Sequence, residues 1–239
     1  MSAAALRALH VAGDPLILPN AWDAGTARLV EQAGFGAVAT TSSGVAEALG
    51  YEDGEHTPAE EMLAAVARIA RAVGLPVTAD MEAGYGLEDA ELAERVSAAG
   101  AVGLNIEDSD HRRHPALVPV ERHAARIAGI KQAADLVLNA RVDVHLRGGA
   151  TAEALERARA YGDAGADCIY PIGVADEATI AAFVELGTPV NVLLGPGAPS
   201  IERLARLGVA RISLGHHLHA EMMDALARRL AQLSPGTRS

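Results

Sequence analysis

Short apolar runs alternate with longer stretches in which apolar residues return every three or four positions, and the alternation persists along the chain. The short runs are residues 15–19, 36–41, 76–79, 102–106, 136–140, 168–171, 189–193 and 211–214, rich in Val, Leu, Ile and Ala. Apolar runs of this length predict strands buried on both faces, as in a parallel sheet. The periodic stretches, residues 23–33, 58–73, 88–99, 119–134, 151–164, 176–186, 200–207 and 217–233, predict amphipathic helices. Four helices close on one signature: Ala33-Gly34, Ala99-Gly100, Ala164-Gly165 and Leu207-Gly208 each put glycine where a left-handed C-cap is wanted.

Strands and helices in strict alternation predict an α/β fold, and eight parallel strands close a (β/α)8 barrel of the TIM type. An open doubly wound sheet would carry a glycine-rich phosphate loop after its first strand. Here that position reads Pro19-Asn20-Ala21-Trp22-Asp23. No linker or composition shift divides the chain, so residues 1–239 are expected to form a single barrel domain, with 234–239 a frayed tail. The connections 41–57 and 107–118 are long for α/β units, where long loops often serve as lids or binding loops.

Composition narrows the partners. Half of the residues are hydrophobic but only 3% are aromatic, which suits aliphatic strands wrapped by Ala-rich helices. A net charge of −11 without any Lys/Arg block argues against nucleic acid and anionic membranes as partners. Cys168, the only cysteine, cannot form an internal disulfide and reads as a small buried hydrophobe within its strand. With no signal segment and no apolar run of transmembrane length, the expected compartment is the cytoplasm.

Barrel enzymes build their sites at the C-terminal ends of the strands. In chain order that rim collects Asn20, Trp22 and Asp23; Thr40 to Gly44, with Asp53 further along the loop; Asp80 and Glu82; Asn105, Glu107 and Asp108; Asn139, Arg141 and Asp143; Tyr170; Asn191; Ser213 and His216. The stretch Asp80-Met81-Glu82-Ala83-Gly84-Tyr85-Gly86 sets two carboxylates at a strand end with a flexible turn behind them, an arrangement that suits a hard cation such as Mg²⁺. Four carboxylates around one point (Asp53, Asp80, Glu82, Glu107) would repel one another without a cation. Arg141 beside it would suit the carboxylate of an anionic substrate, which a guanidinium can grip bidentately. Zinc is not expected at His216, His217 and His219, because helix neighbours on one face lie three or four residues apart.

Taken together, Asn20-Ala21-Trp22-Asp23, Leu49-Gly50-Tyr51-Glu52-Asp53, Asp80 to Gly86, Asn105-Ile106-Glu107-Asp108 and Asn139-Ala140-Arg141 resemble the isocitrate lyase/phosphoenolpyruvate mutase superfamily, over roughly residues 15–215. The resemblance implies a (β/α)8 barrel, Mg²⁺ (with Mn²⁺ as an alternative) and small 2-oxo or 2-hydroxy carboxylate substrates. It implies that Asp80 ligates the metal directly and that Asp53, Glu82 and Glu107 hold its waters. It implies that Arg141 grips the substrate carboxylate, that Trp22 walls the pocket, and that Thr41, Ser42, Ser43 and Gly44 hold substrate oxygens. Arg141, Asp53 and Glu107 are the expected catalytic residues, and Asn191 is expected to bind substrate. The resemblance also implies a homo-oligomer, a tetramer, with the last helix as a contact element.

The enolate left when a bond beta to the oxo carbon breaks is shared by the superfamily's lyases, mutases, hydrolases and decarboxylases, so the barrel alone does not choose among them. Departures do. The lyases carry a Lys-Lys-Cys-Gly-His type motif in the loop after strand four. This chain reads Ser109-Asp110-His111-Arg112-Arg113-His114-Pro115, without Cys. Where the lyases have a Glu after Phe-Pro, this chain follows Tyr170-Pro171 with Ile172. The reading is therefore a Mg²⁺-dependent lyase, hydrolase or decarboxylase, not a typical isocitrate or methylisocitrate lyase. The alternatives are a phosphonopyruvate mutase or hydrolase, and a catalytically silent barrel that binds a 2-oxo acid.

Overall fold

The computed structural model describes residues 1–111 and 116–234. The first barrel strand is split, because Pro19 has no N–H to give to a ladder, into β1 (Leu16–Leu18) and β2 (Asn20–Ala21). From β2, parallel pairing runs through β3 (Val38–Thr40), β4 (Val77–Asp80), β5 (Gly103–Glu107), β6 (Val137–Val142) and β7 (Cys168–Pro171). β1 pairs with β9 (Arg211–Ser213), which pairs with β8 (Asn191–Leu193). A parallel bridge from Ile169 to Val190 joins the two sheets on the other side, so parallel neighbours follow one another around a (β/α)8 ring.

The helices wrap this ring. α2 (Ala24–Gln32), α4 (Ala59–Ala72), α5 (Asp89–Ala98), α6 (Val120–Ala133), α7 (Thr151–Asp163), α8 (Glu177–Val184), α9 (Ile201–Arg206) and α10 (His217–Leu233) follow the predicted periodic stretches; in this numbering α1 and α3 are the two helices described next. The glycines after α2, α5, α7 and α9 have φ of 86°, 90°, 102° and 90°, the left-handed caps expected of them. Their apolar faces pack on the strands in one large cluster that includes Met62, Ile69, Leu92, Ile106, Ile127, Tyr161 and Phe183.

Two helices depart from the sequence reading. α1 (Ala3–Ala8) buries Ala3 and Leu6 against Leu16, Leu18, Ala37, Ala39 and Val137. Its Arg7 pairs with Asp167 at 2.6 Å, and Lys131 reaches the same carboxylate at 2.7 Å. The connection 41–57, expected to be an extended loop, is half helix: α3 (Ser42–Leu49) buries Ser42, Gly44, Val45 and Ala46. Ser-Ser-Gly reads locally as loop, but here it is the first turn, and burial of Val45 and Ala46 overrides the weak propensity. Gly44 is needed for close packing, since a Cβ there would lie 2.8 Å from Thr41 Cγ2 and 3.2 Å from Trp22 Cβ.

Candidate active site

β4 ends at Asp80, and the surrounding elements hold its carboxylate with donors. Ser42, at the start of α3, gives Oδ2 its backbone N–H at 3.3 Å and its hydroxyl at 3.2 Å. The amide Nδ2 of Asn105 lies 3.5 Å from Oδ1. The Asp80 N–H is taken by Thr40 Oγ1 at 2.8 Å. The positive end of the α3 dipole faces this carboxylate. A helix leaves its first N–H groups unpaired, so Ser43 and Gly44 offer further donors beside Asp80.

Beyond Asp80 the chain makes a tight, cross-braced turn. Glu55, Glu82 and Tyr85 have φ of 63°, 46° and 54°, a left-handed backbone that costs a non-glycine residue roughly 1–2 kcal/mol. The three hold one another: the Glu55 N–H donates to Glu82 Oε2 at 2.7 Å, the Tyr85 hydroxyl to Glu82 Oε1, and the Tyr85 N–H to the Glu55 carboxylate. Gly84 lets the turn lie against α6, since a Cβ there would collide with the Arg126 guanidinium. Glu82 is buried, and burial raises its carboxyl to about 8. The Tyr85 hydrogen bond opposes that rise, while the charges of Asp53, Asp80 and Glu107 add to it.

β5 and β6 lie in register with Glu107 opposite Arg141. Arg141 Nη2 reaches Glu107 Oε2 at 2.5 Å. Its Nε and Nη2 donate to Asp143 Oδ1 and Oδ2, both at 2.6 Å. Burial raises the Glu107 carboxyl, while Arg141 and His111 pull the other way; His111 Nε2 is 2.7 Å from Glu107 Oε1. Behind Arg141 lies a second buried set. Asp143 accepts the Ser109 hydroxyl at 2.5 Å, and its N–H donates to Asp108 Oδ1 at 2.8 Å. Asp108 Oδ2 accepts from Tyr161 at 2.8 Å and from Arg157 at 3.2 Å. The Nε–Nη2 edge of Arg141 is thus occupied, and among the described residues its Nη1 makes no hydrogen bond. A cavity of about 740 Å³ opens beside Glu107 and His111 toward Arg122 and Arg126.

Comparison with known sequences gives this rim its relatives. Residues 6–234 match the profile of the phosphoenolpyruvate phosphomutase family. The chain belongs to the phosphoenolpyruvate phosphomutase family. The 2-methylisocitrate lyase of Escherichia coli K12 is 32% identical over 194 residues, 76% of this chain and 65% of that enzyme. The oxaloacetate decarboxylase of Pseudomonas putida GB-1 is 31% identical over 227 residues, 89% of this chain and 78% of that enzyme. The crystal structure of a phosphonopyruvate hydrolase complex with oxalate and Mg²⁺ superposes with a TM-score of 0.84 at 26% identity, covering 98% of this chain and 87% of that one. This family member is therefore an enzyme of the lyase and mutase type, on a scaffold whose relatives cleave, decarboxylate and hydrolyse small carboxylates.

Within this family member the predicted site residues fall into two groups. Asp80, Glu82, Glu107, Arg141, Thr41, Ser42, Ser43 and Gly44 gather at the mouth of β3 to β6. Asp53 lies exposed on the loop between α3 and α4, close enough for its charge to act on Glu82. Among the described residues no three His, Cys, Asp or Glu side chains converge as direct ligands of one ion. Trp22 packs edge-on against His219 of α10, with ring centroids 4.8 Å apart. Asn191 is buried in β8, bonded to Ser213 Oγ at 3.0 Å, with no hydrogen bond to the Asp80 group. Cys168 is fully buried, as expected. The lid residues Arg112, Arg113 and His114 lie outside the described residues.

Sequence reasoning assigned no role to Asp143, Asp108, Tyr85 or Glu55. Arg141 lies near the end of β6 and Asp143 just beyond it, and a spacing of two in extended chain puts them on one face, a legible signal for the pair. The left-handed backbone of Glu55 and Tyr85 leaves no local mark.

Proposed function

We propose that this family member uses a divalent cation, Mg²⁺ or Mn²⁺, to act on a small 2-oxo dicarboxylate of the oxaloacetate type, by decarboxylation or hydrolysis. The observation that carries the reading is the buried Glu82 beside Asp80 and Glu107, a group of carboxylates that Arg141 and His111 do not neutralise. A hard cation suits this donor set: Asp80 would hold it directly and Glu82, Glu107 and Asp53 through water, as Mg²⁺ keeps several waters. When bound, it supplies Lewis-acid polarisation of the substrate oxo group. The family includes a phosphonopyruvate hydrolase solved with oxalate and Mg²⁺, which supports the same choice.

The chain's own residues supply the rest. Arg141, oriented by Asp143 and Glu107, presents Nη1 to the substrate carboxylate. The first-turn N–H groups of Ser43 and Gly44 take the oxygens on the opposite side, aided by the α3 dipole. These fixed donors favour the enolate that forms when the carbon–carbon bond breaks and carbon dioxide leaves. The electron pair stays on the substrate, and solvent returns a proton to carbon. Solvent protonation fits a loop without cysteine. Retro-aldol cleavage of isocitrate would instead need an acid placed in the lid, where an error of about 1 Å costs on the order of 10²-fold. The decarboxylase relative, which spans most of this chain, supports the choice.

The decisive assay offers oxaloacetate, phosphonopyruvate, isocitrate and 2-methylisocitrate with Mg²⁺. Turnover of oxaloacetate is expected. Glyoxylate release from either isocitrate at about 1 s⁻¹ or faster, an ordinary enzymatic rate, would overturn the choice and make His111 the acid to test. No turnover with any of the four would leave the silent binder.

The proposal extends to a homo-oligomer in the cytoplasm. α10 exposes Met222, Met223, Leu226, Leu230 and Leu233 on a helix whose residues from 220 onward are all solvent-facing, an apolar stripe suited to a second copy of this chain. Light scattering that finds a monomer at micromolar concentration would overturn it.

A further inference from the structure

Arg211 opens β9 in the interior of the ring, paired in register with Leu16 and Asn191, and is fully buried. Its Nε donates to Ser213 Oγ at 3.3 Å and its Nη2 to Asn105 Oδ1 at 3.2 Å. Its Nη1 has no partner among the described residues, and no carboxylate there forms an ion pair with it. A buried guanidinium without an anion is costly and rare. The nearby polar groups, Cys168, Tyr170, Asn139 and Asn191, carry no compensating charge; burial raises the Cys168 thiol to about 12.

The negative charge that answers Arg211 lies one amide away. Asn105 Oδ1 accepts from both Arg211 and Asn139, the latter at 2.7 Å. With its oxygen held by two donors, the Asn105 amide cannot flip, so its NH₂ group is turned toward Asp80 Oδ1 at 3.5 Å. Arg211 thus acts on Asp80 in two ways, through the fixed orientation of Asn105 and through its own charge beneath the acidic rim.

We infer that Arg211 is a positioning residue that acts through Asn105 on Asp80 and serves as the buried counter-charge of the rim, weighting the site toward an anionic ligand and against tight retention of a bare cation. This rests on the proposed function, because it takes Asp80 as the cation-holding carboxylate. A purely structural arginine would carry no such bias, and its loss would shift cation and anion binding in the same direction or leave both unchanged.

The test uses full-length protein and two probes: Mn²⁺ binding followed by electron paramagnetic resonance, and oxalate binding to the Mn²⁺-loaded protein by calorimetry. In R211M, Mn²⁺ should bind about tenfold more tightly and oxalate about tenfold more weakly. That is the scale of a unit charge at one side chain's remove in an effective dielectric of about 20, reduced by solvent screening. R211K keeps the charge and should stay within about threefold of the parent for both probes. R211Q keeps a donor for Asn105 without the charge, and carries the same test if R211M does not fold. Opposite shifts in the uncharged variant support the inference. Shifts of the same sign, or none, overturn it. Failure of the parent protein to bind Mn²⁺ would overturn the proposed function instead, and is read before any variant.

Discussion

Two groups of buried carboxylates sit side by side in this barrel and are treated in opposite ways. Asp108 and Asp143 are fully buried, and each is matched: Asp143 by the Arg141 fork and the Ser109 hydroxyl, Asp108 by Arg157, Tyr161 and a backbone N–H. Among the described residues Glu82, hardly more exposed, has only a phenol and a backbone N–H, with His111 Nε2 3.9 Å away. The first group is a finished network, worth much to the fold because loss of one partner strands the others. The second is unfinished, and a buried carboxyl whose ionised form the fold leaves uncompensated marks a place kept for a ligand.

The largest effect is expected where the two groups part. Asp80→Ala should weaken Mn²⁺ and oxalate binding by at least about 100-fold while circular dichroism and the melting transition stay close to the parent's. Unchanged oxalate affinity by calorimetry would remove Asp80 from the site. Asp143→Ala attacks the finished group and should do the reverse. It leaves Arg141 buried without its fork and should cost about 3–5 kcal/mol in chemical denaturation, with a raised KM from a loosened Arg141. A loss under about 1 kcal/mol would mean that Glu107 alone is enough to hold Arg141.

A smaller effect comes from pH. Glu82, with a folded value of about 8, binds its proton more tightly in the native state than in the unfolded chain, so its contribution to stability falls as pH rises from the ordinary carboxylate range to about 8. Glu107 and His111, both raised, act with the same sign. His10 and His123, lowered by burial to about 4 and about 3, act with the opposite sign, but their contribution is complete once pH passes about 6.5. Between about pH 6.5 and 8 the metal-free protein should therefore lose stability, on the order of 2 kcal/mol from Glu82 alone. Mg²⁺ should flatten that slope. Melting curves in a chelating buffer that are level over this range would show that Glu82 is compensated after all.

These contrasts also divide what was legible in the sequence from what was not. The ring was legible, since each buried strand is a short apolar run and each helix repeats its apolar positions. So were Asp80, Glu82, Glu107 and Arg141, which sit at strand ends where a barrel builds its site. α3 was hidden because Ser42, Ser43 and Gly44 favour a loop locally, and the turn of helix there is explained by tertiary packing, the burial of Val45 and Ala46 and the close approach of Gly44 to Trp22. The partners of Asp108 were hidden for another reason. Arg157 and Tyr161 stand 49 and 53 residues away on α7, and no local pattern joins residues that far apart. Asn191 was misplaced by the apolar run alone: it is the first residue of β8, at the strand end away from the rim, and its side chain turns to Ser213 within the ring.

The smallest expected effect is also the sharpest test of the comparison, because its sign is unusual for a buried polar residue. Glu82→Gln removes the charge that burial and the neighbouring carboxylates oppose. Gln keeps one acceptor oxygen, enough for either the Tyr85 hydroxyl or the Glu55 N–H, and turns an NH₂ group toward the other. That mismatch costs about 1–3 kcal/mol. Against it stands the cost of burying an ionisable carboxyl: near pH 7.5 a shift from an ordinary value to about 8 amounts to roughly 4 kcal/mol, lost together with the charge. With the mismatch at the upper end of that range, the balance favours the variant by about 1 kcal/mol in metal-free buffer. Mg²⁺, which has one carboxylate fewer to answer, should then stabilise the variant less than the parent. The measurement is a pair of denaturation curves at pH 7.5, with and without Mg²⁺. A metal-free variant less stable than the parent would place Glu82 with Asp108 and Asp143, among the carboxylates whose needs the fold already meets.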